Sequence, residues 1–451
     1  MKNVNYQLVS IGFSLLLALV LLPGTGQAQQ VLTLEDAIQL ALDNNIDVKI
    51  AENNYAIAKS NNLQGTLNYL PSLSSDMDYG VRRGAFFDQN VGRVITSTTR
   101  FWNGSITANM NIFQGFFNTY NKMSLKRAAE AAKLNIEDAE QTVKVNVMTF
   151  YLQTLLNREN TRISEERIKL LEEQMERARK RAEIGVENSE AYFNFKSQLA
   201  TEQLNYTNMK NLYESNKLSL LQALQVNDIS QYDIAEYVPE NEVLMLEAPN
   251  YEEIVNAAIE FSPGIKSAEL TRLSNKSLLQ RARSAYFPTI SAAGRYGTSW
   301  SNNGIPSDPA GEVSGFSEQI DFNTFEYVGA FFSWNLFDRG QRENNKQVAK
   351  INMLNAELTK KQTQQTLVNT VQQAYLNLVA AQSTYRSATQ SLESLEQSYA
   401  FAQKSYEAGQ IDFYTYFEAL NNKNRAEFEL ASAKYGIIFR KQILDIHMGI
   451  Q

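Results

Sequence analysis

The chain has no cysteine and only one histidine in 451 residues. It can build no disulfide framework, no thiolate metal site and no cysteine-linked acyl anchor. His447, near the C-terminus, reads as a surface or packing imidazole. Most nucleophilic and metal-hydrolase chemistries therefore lack their usual residues, and no cofactor or metal is expected. Positive charge is also scarce. Lys and Arg number 42 against 49 Asp and Glu, a net charge of −7, which argues against a nucleic-acid partner. There are eight prolines, and none falls in 118–238 or 310–451. An interior proline costs a helix about 3 kcal/mol, so these stretches can form long helices. Glycine is sparse in them too. Gly185 stands alone between Phe116 and Pro239, and only Gly409 and Gly436 occur between Gln341 and Met448.

Long apolar runs are confined to one place. Leu8 to Leu22 follows Lys2 and precedes Pro23-Gly24 and the small-x-small Gly26-Gln27-Ala28. The run is shorter than the roughly 20 residues a helical span needs. Residues 1–28 therefore read as a secretory signal peptide, cleaved after Ala28, whose loss makes the chain one charge more negative.

What is present is a tandem repeat. Tyr69-Leu70-Pro71-Ser72-Leu73-Ser74 returns as Tyr286-Phe287-Pro288-Thr289-Ile290-Ser291. Asn111-Ile112-Phe113 returns as Asn335-Leu336-Phe337. Glu183, Gly185, Tyr192 and Phe193 return as Glu407, Gly409, Tyr416 and Phe417. The first repeat spans 29–225, a mostly irregular connector 226–250, and the second repeat 251–451. Spacing is nearly constant, apart from a longer segment before Asn335. Such units commonly bury their apolar faces only against one another.

Each repeat is expected to hold a strand pair and a long helix hairpin. Strands are expected at about 72–84, 100–113, 289–300 and 326–337, where apolar and polar residues alternate with period two. Trp102, Trp300 and Trp334 fall on the apolar side, with Tyr79 and Tyr296. Ser74, Asp76, Asp78, Asn103 and Arg295 fall on the other. Alternation of this kind suits a soluble β-sandwich or a transmembrane barrel. The polar second face and the aromatic ends resemble a barrel wall with interfacial girdles. Four strands are too few to close either form, and a lipid-facing open edge is not tolerated, so a barrel would be shared between subunits. Polar, turn-rich loops are expected at 84–99 and 301–324.

The helix hairpins are expected at about 117–223 and 341–447, turning at Gly185 and Gly409. Val371, Leu378, Tyr385, Leu392, Tyr399 and Tyr406 recur every seventh residue, beside a second, mostly alanine row of Ala374, Ala381, Ala388, Leu395 and Ala402. This is a coiled-coil seam. Residues 341–406 would span about 100 Å at 1.5 Å per residue, too long for the core of a compact domain. Shorter amphipathic helices are expected at Leu34 to Leu42, capped by Thr33, and at Glu252 to Glu260.

The paired Tyr-x-Pro motifs before a strand, the Asn-x-Phe motifs before a long helix, and the two glycine turns together carry a resemblance. The chain resembles the outer membrane efflux proteins, the TolC-like channel-tunnels, over essentially all of its mature length. The resemblance implies a mainly α chain with transmembrane β structure. It implies a homotrimer whose three strand sets form one 12-stranded β-barrel in the outer membrane of a Gram-negative bacterium, continued by a periplasmic α-helical barrel. It implies a passive, non-enzymatic exit duct for small toxic compounds or secreted proteins. The implied partners are a periplasmic adaptor (membrane fusion protein) and an inner-membrane resistance-nodulation-division (RND) or ABC transporter, with outer-membrane lipid around the barrel.

The same resemblance places the closed end at Gly185 and Gly409. Tyr406 matches a gating tyrosine and Glu418 one member of an acidic ring. The family's first ring acid falls on Thr415, its gating arginine on Ile411 and a partner acid on Ala191, so the ion-pair latch is missing. Asp412, Glu187 and Glu190 are candidate substitutes. On its own sequence, Tyr406 equally continues the coiled-coil seam, and Glu418 equally suits a solvated helix face. A non-transporting periplasmic coiled-coil adaptor or surface structural protein is the competing reading. An enzyme using the Asp76 and Asp78 carboxylates is a third, although those acids also fit a wetted barrel wall. No Met-rich or His-rich path marks copper or silver as cargo.

Overall fold

The computed structural model describes residues 30–88, 92–185, 188–226, 231–235, 250–303 and 313–450. The signal expected at 1–28, most of the 226–250 connector, and Glu187 lie outside the described residues. The chain runs β1 (Gln30–Leu32), α1 (Leu34–Asn44), α2 (Ile46–Leu67), β2 (Ser72–Asp88), β3 (Arg93–Gln114), α3 (Phe117–Glu183) and α4 (Ser189–Ala223). It continues through β4 (Tyr232–Ile234), α5 (Tyr251–Phe261), α6 (Pro263–Ser284), β5 (Thr289–Ser301), α7 (Phe316–Phe322), β6 (Phe325–Ser333), α8 (Gln341–Glu407) and α9 (Phe413–Met448). No helix among the described residues is long and apolar enough to cross a membrane.

Local chemistry sets the helix ends. Thr33 and Asp36 form a reciprocal capping box at α1. Asn250 caps α5, and Ser262 caps α6 with Pro263 in its first turn. Helices α3 and α8 are 67 residues each, uninterrupted because neither contains proline or glycine. Along α8 the seven-residue seam is buried or half-buried, with Val371 and Leu378 almost fully enclosed.

The chain divides into two compact units. One draws on Met1–Asn45, Thr142–Ala248 and Leu376–Ile443, the other on Ile46–Gln141, Pro249–Tyr375 and Leu444–Gln451. In the first unit β1 and β4 pair in parallel, so the described part of the connector is a strand where an irregular segment was expected. The sequence signal was weak because three residues are too few to show a period. Buried Tyr151 donates to the Leu32 carbonyl at 3.1 Å, and Arg158 donates to the Ile234 carbonyl at 2.6 Å. These bonds fix the small sheet to α3 and satisfy backbone groups at the strand ends.

The second unit holds a four-stranded antiparallel sheet in the order β2-β3-β5-β6. The two repeats join at the β3–β5 ladder, where Trp102 lies opposite Trp300. Pairing assigns the faces. One carries Leu73, Met77, Tyr79, Trp102, Ile106, Ala108, Ala292, Tyr296, Trp300, Val328 and Phe332. Its charged members, Arg83, Arg100 and Glu326, lie toward the loop end. On the other face Asn103 donates to Asp78 at 3.0 Å and Arg295 to Ser105 at 3.0 Å.

Three boundaries differ from the sequence reading. Strands β2 and β3 extend through most of the expected 84–99 loop, because Val94, Thr96 and Thr98 pair with Phe87, Ala85 and Arg83. Their β-branched character outweighs their polarity. The expected 326–337 strand ends at Ser333, opposite Thr289. Pro288 precedes Thr289 and has no N–H to continue the ladder. Trp334 thus lies beyond the strand, donating its indole N–H to the Tyr286 carbonyl at 3.3 Å. The expected 301–324 loop contains helix α7.

Strands β3 and β6 both lead to a long helix through two successive left-handed residues, Gly115-Phe116 and Arg339-Gly340. A Cβ on Gly115 would stand 2.6 Å from the Ser284 carbonyl oxygen and 2.7 Å from Phe287, so this turn admits only glycine.

Candidate functional site at the helix-hairpin turns

The described residues of the α3–α4 turn and the turn between α8 and α9 share a left-handed glycine and a side-chain cap on the following helix. Gly185 and Gly409 both take positive φ, 74° and 72°. At the second turn Gly409 N–H bonds to the Tyr406 carbonyl at 3.0 Å and Gln410 N–H to the Ser405 carbonyl at 2.8 Å. That is a Schellman termination, which needs a left-handed residue. Asn188 caps α4. Asp412 accepts from the Thr415 N–H at 2.8 Å and caps α9.

Just inside these turns the four helices enclose an aromatic cluster. Its buried members are Leu171 and Ala178 of α3, Ala191, Phe195 and Leu199 of α4, and Phe413, Tyr416 and Leu420 of α9. Tyr399 and Tyr406 of α8 pack against them. Tyr416 is fully buried at the centre. Its ring stacks on Tyr406 at 4.9 Å with the planes 16° apart, and its hydroxyl lies 3.3 Å from that of Tyr399. Phe195 meets Phe413 edge-on at 4.6 Å and Tyr416 at 6.4 Å. Such pairs add about 0.5–1.5 kcal/mol each beyond area burial. Burial drives the Tyr416 phenol well above its ordinary pKa, and the Tyr399 hydroxyl adds to the effect.

The charged candidates are arranged differently. Glu190, Asp412, Thr415 and Glu418 are all exposed. Asp412 is engaged by the backbone of α9, and the Thr415 N–H holds its carboxyl below the usual aspartate range. A depressed folded value means that this contribution to stability is complete at neutral pH and is lost as pH falls through the folded value. Asp412→Asn should keep the cap and remove that acid-dependent loss, read as unfolding temperature against pH. One ion pair across the cluster joins Arg177 of α3 with Glu407 of α8, at 3.8 Å and largely exposed. Pairs of this kind contribute about 0–1 kcal/mol.

Farther along the same helices a buried polar node joins α3, α4 and α9. Arg167 pairs with Glu202 at 3.2 Å, Ser164 donates to Glu202 at 2.6 Å, and Arg167 also reaches Asn421. Glu202 is only 4% exposed. Removing the carboxylate would strand the guanidinium, so Glu202→Ala should cost about 3–5 kcal/mol in denaturant unfolding.

At the sheet, Tyr79, Trp102 and Trp300 form one row across β2, β3 and β5, and Tyr296 lies opposite Ile106. Trp334 belongs to the other end. It is 53% exposed beside Leu336 and Phe337, which are exposed as well. The sequence reading placed all three tryptophans in strands; the structure pairs Trp102 with Trp300 at one end and leaves Trp334 beyond β6 at the other. It also singled out Tyr406, whereas Tyr416 is the centre of the cluster. The repeat pair Tyr192 and Tyr416 was visible in the sequence, but only packing distinguishes buried Tyr416 from half-buried Tyr192.

Among solved structures the chain is similar to outer-membrane channels of one fold. CusC aligns at a TM-score of 0.76 and 16% identity, over 92% of this chain and 91% of that one. CmeC of Campylobacter jejuni aligns at 0.73 and 18%, over 92% and 85%. VceC of Vibrio cholerae aligns at 0.75 and 13%, over 93% and 97%. Comparison with curated protein sequences gives no match. The fold is thus that of the TolC-like channel-tunnels. The outer membrane efflux protein model matches residues 37–225 and 254–440, one match per repeat, and the chain belongs to that family. It is an outer-membrane protein extending into the periplasm.

Proposed function

We propose that three copies of this chain form the exit duct of a tripartite efflux or type I secretion system, passing small toxic compounds or secreted proteins outward. The observation that carries this reading is the open sheet. Four antiparallel strands present an apolar face, yet among the described residues β2 and β6 pair on one side only. In lipid those edges must be closed, and three copies of four strands give one ring of twelve. Residues 1–28 would direct export and be removed, leaving the two repeats and their connector.

The helices then extend into the periplasm, and the duct closes at the Gly185 and Gly409 turns. The aromatic cluster around Tyr416, with Tyr406 stacked on it, holds the turns together in place of an ion-pair latch. Thr415 and Glu418 face the threefold axis. Three copies of Glu418 around a narrow opening concentrate negative potential and favour cations. Asp412 and Glu190, exposed beside the turns, are the acids available to the gate where the family's own ring acid is missing. Energy comes from an inner-membrane RND or ABC transporter joined through a periplasmic adaptor.

The test is deletion and complementation. Loss of the gene should make cells hypersensitive to toxic compounds or abolish secretion of a protein. Restored protein should fractionate with the outer membrane and run as an SDS-resistant trimer. A photo-crosslinker at Gln410 should capture an adaptor. Recovery of the mature protein as a detergent-free monomer would end this reading.

A further inference from the structure

We propose that helix α7 is a lipid anchor. It lies on the apolar face of the sheet at the loop end and seats its phenylalanines among the acyl chains at the boundary of the outer leaflet. The inference rests on the reading above, in which that face meets lipid.

The helix is fastened to the sheet. The Gln319 side chain, 4% exposed, accepts from the Ser301 N–H at 3.0 Å and donates to the Ser301 carbonyl at 2.9 Å. Thr298 donates its hydroxyl to the Ile320 carbonyl at 2.6 Å, and Asn323 donates to the Ser299 carbonyl at 2.9 Å. These bonds fix the middle and the C-terminal end of α7 and satisfy polar groups that would otherwise face hydrocarbon. Phe316 shows which face it covers. Its ring lies 5.8 Å from Trp102, edge-on, and 5.7 Å from Trp300. Both indoles belong to the apolar face. The helix therefore packs on the same side as Val328, which is 89% exposed, and not on the side of Asp78 and Arg295.

Depth agrees. From Ile290 to Trp300 strand β5 advances about 33 Å at 3.3 Å per residue, or about 25 Å in height at a tilt near 40°. That matches the apolar band of an outer-membrane barrel, with Trp334 near its lower limit and Trp102, Trp300 and α7 at its upper limit. Phe316 and Phe322 remain 52% and 78% exposed. Phe316, packed on the indole row, and Phe322 beside it keep large apolar area exposed that an apolar medium would cover. At the acyl boundary they extend the aromatic row of the sheet, while exposed Glu318 and Asp321 stay with the headgroups.

The absence of cysteine makes the test direct. Spin labels would be placed by Phe322→Cys, Val328→Cys and Ser74→Cys in the full mature protein, reconstituted in phosphatidylethanolamine–phosphatidylglycerol vesicles. Accessibility to oxygen, which concentrates in lipid, is compared with accessibility to a water-soluble nickel chelate. At 328 oxygen should dominate and at 74 nickel; at 322 oxygen should dominate several-fold. Nickel dominance at 322 with oxygen dominance at 328 overturns the anchor and leaves the barrel intact. A label at 322 shielded from both reagents overturns it in favour of a contact with a neighbouring copy. Nickel dominance at 328 removes the lipid-facing reading itself, and the anchor with it.

Discussion

Tyr416→Ala should destabilise the helical hairpins by about 3–5 kcal/mol, the usual cost of emptying a buried aromatic site, and should leave the periplasmic end of the duct leaky. Tyr416 of α9 is fully enclosed and touches aromatic side chains from α4 and α8. Its loss opens a cavity where two glycine turns must be held together, and the exposed Arg177–Glu407 pair is too weak to substitute. Thermal unfolding followed by helical circular dichroism reads the first effect. Uptake of bulky antibiotics that an intact outer membrane excludes reads the second. Tyr416→Phe keeps the ring and loses only the contact with the Tyr399 hydroxyl, so its cost should be near 1 kcal/mol. Because the cluster is apolar, the closed state should also persist as salt rises, whereas an exposed ionic latch would weaken with screening. A tip equally tight in Tyr416→Ala would show that the cluster does not hold it.

Val328→Arg should prevent or strongly impair assembly. Val328 is the most exposed of the large apolar residues on β6, on the same face as Trp102 and Trp300. In a lipid-facing barrel wall an arginine there costs about 2–4 kcal/mol near the midplane, and a homotrimer pays it three times. Ser74→Arg places the same charge on the polar face, beside Thr107. It should be tolerated if that face lines water. The measurement is the yield of SDS-resistant trimer in outer-membrane fractions. Equal yields from the two variants would contradict the assignment of faces.

Periodicity carries long elements and fails on short ones. The proline-free stretches and the seven-residue seam ending at Tyr406 made α3 and α8 readable, because a repeated spacing sums many weak preferences. The alternating strands gave the sheet and its two faces for the same reason. Helix α7 and strand β4 are shorter than any reliable period. They are held by Gln319, Thr298, Tyr151 and Arg158, whose partners are distant in sequence. The end of β6 was misjudged because Leu336 continues the alternation, although the neighbouring strand begins only after Pro288. At the hairpin turns the glycines were legible, since few residues accept positive φ. The centrality of Tyr416 was not, because it follows from which of two equivalent tyrosines turns inward. The Arg167–Glu202–Asn421 node was equally hidden, its members lying on three helices.

The central claim is that three chains close their sheets into one ring around a continuous duct. Electron cryo-microscopy of the mature protein in lipid nanodiscs tests it most directly. The account requires threefold symmetry, with strand β6 of each copy paired to β2 of the next and a cavity running from the ring to the glycine turns. A different subunit number, or a sheet whose edges stay open in the lipid, would contradict it.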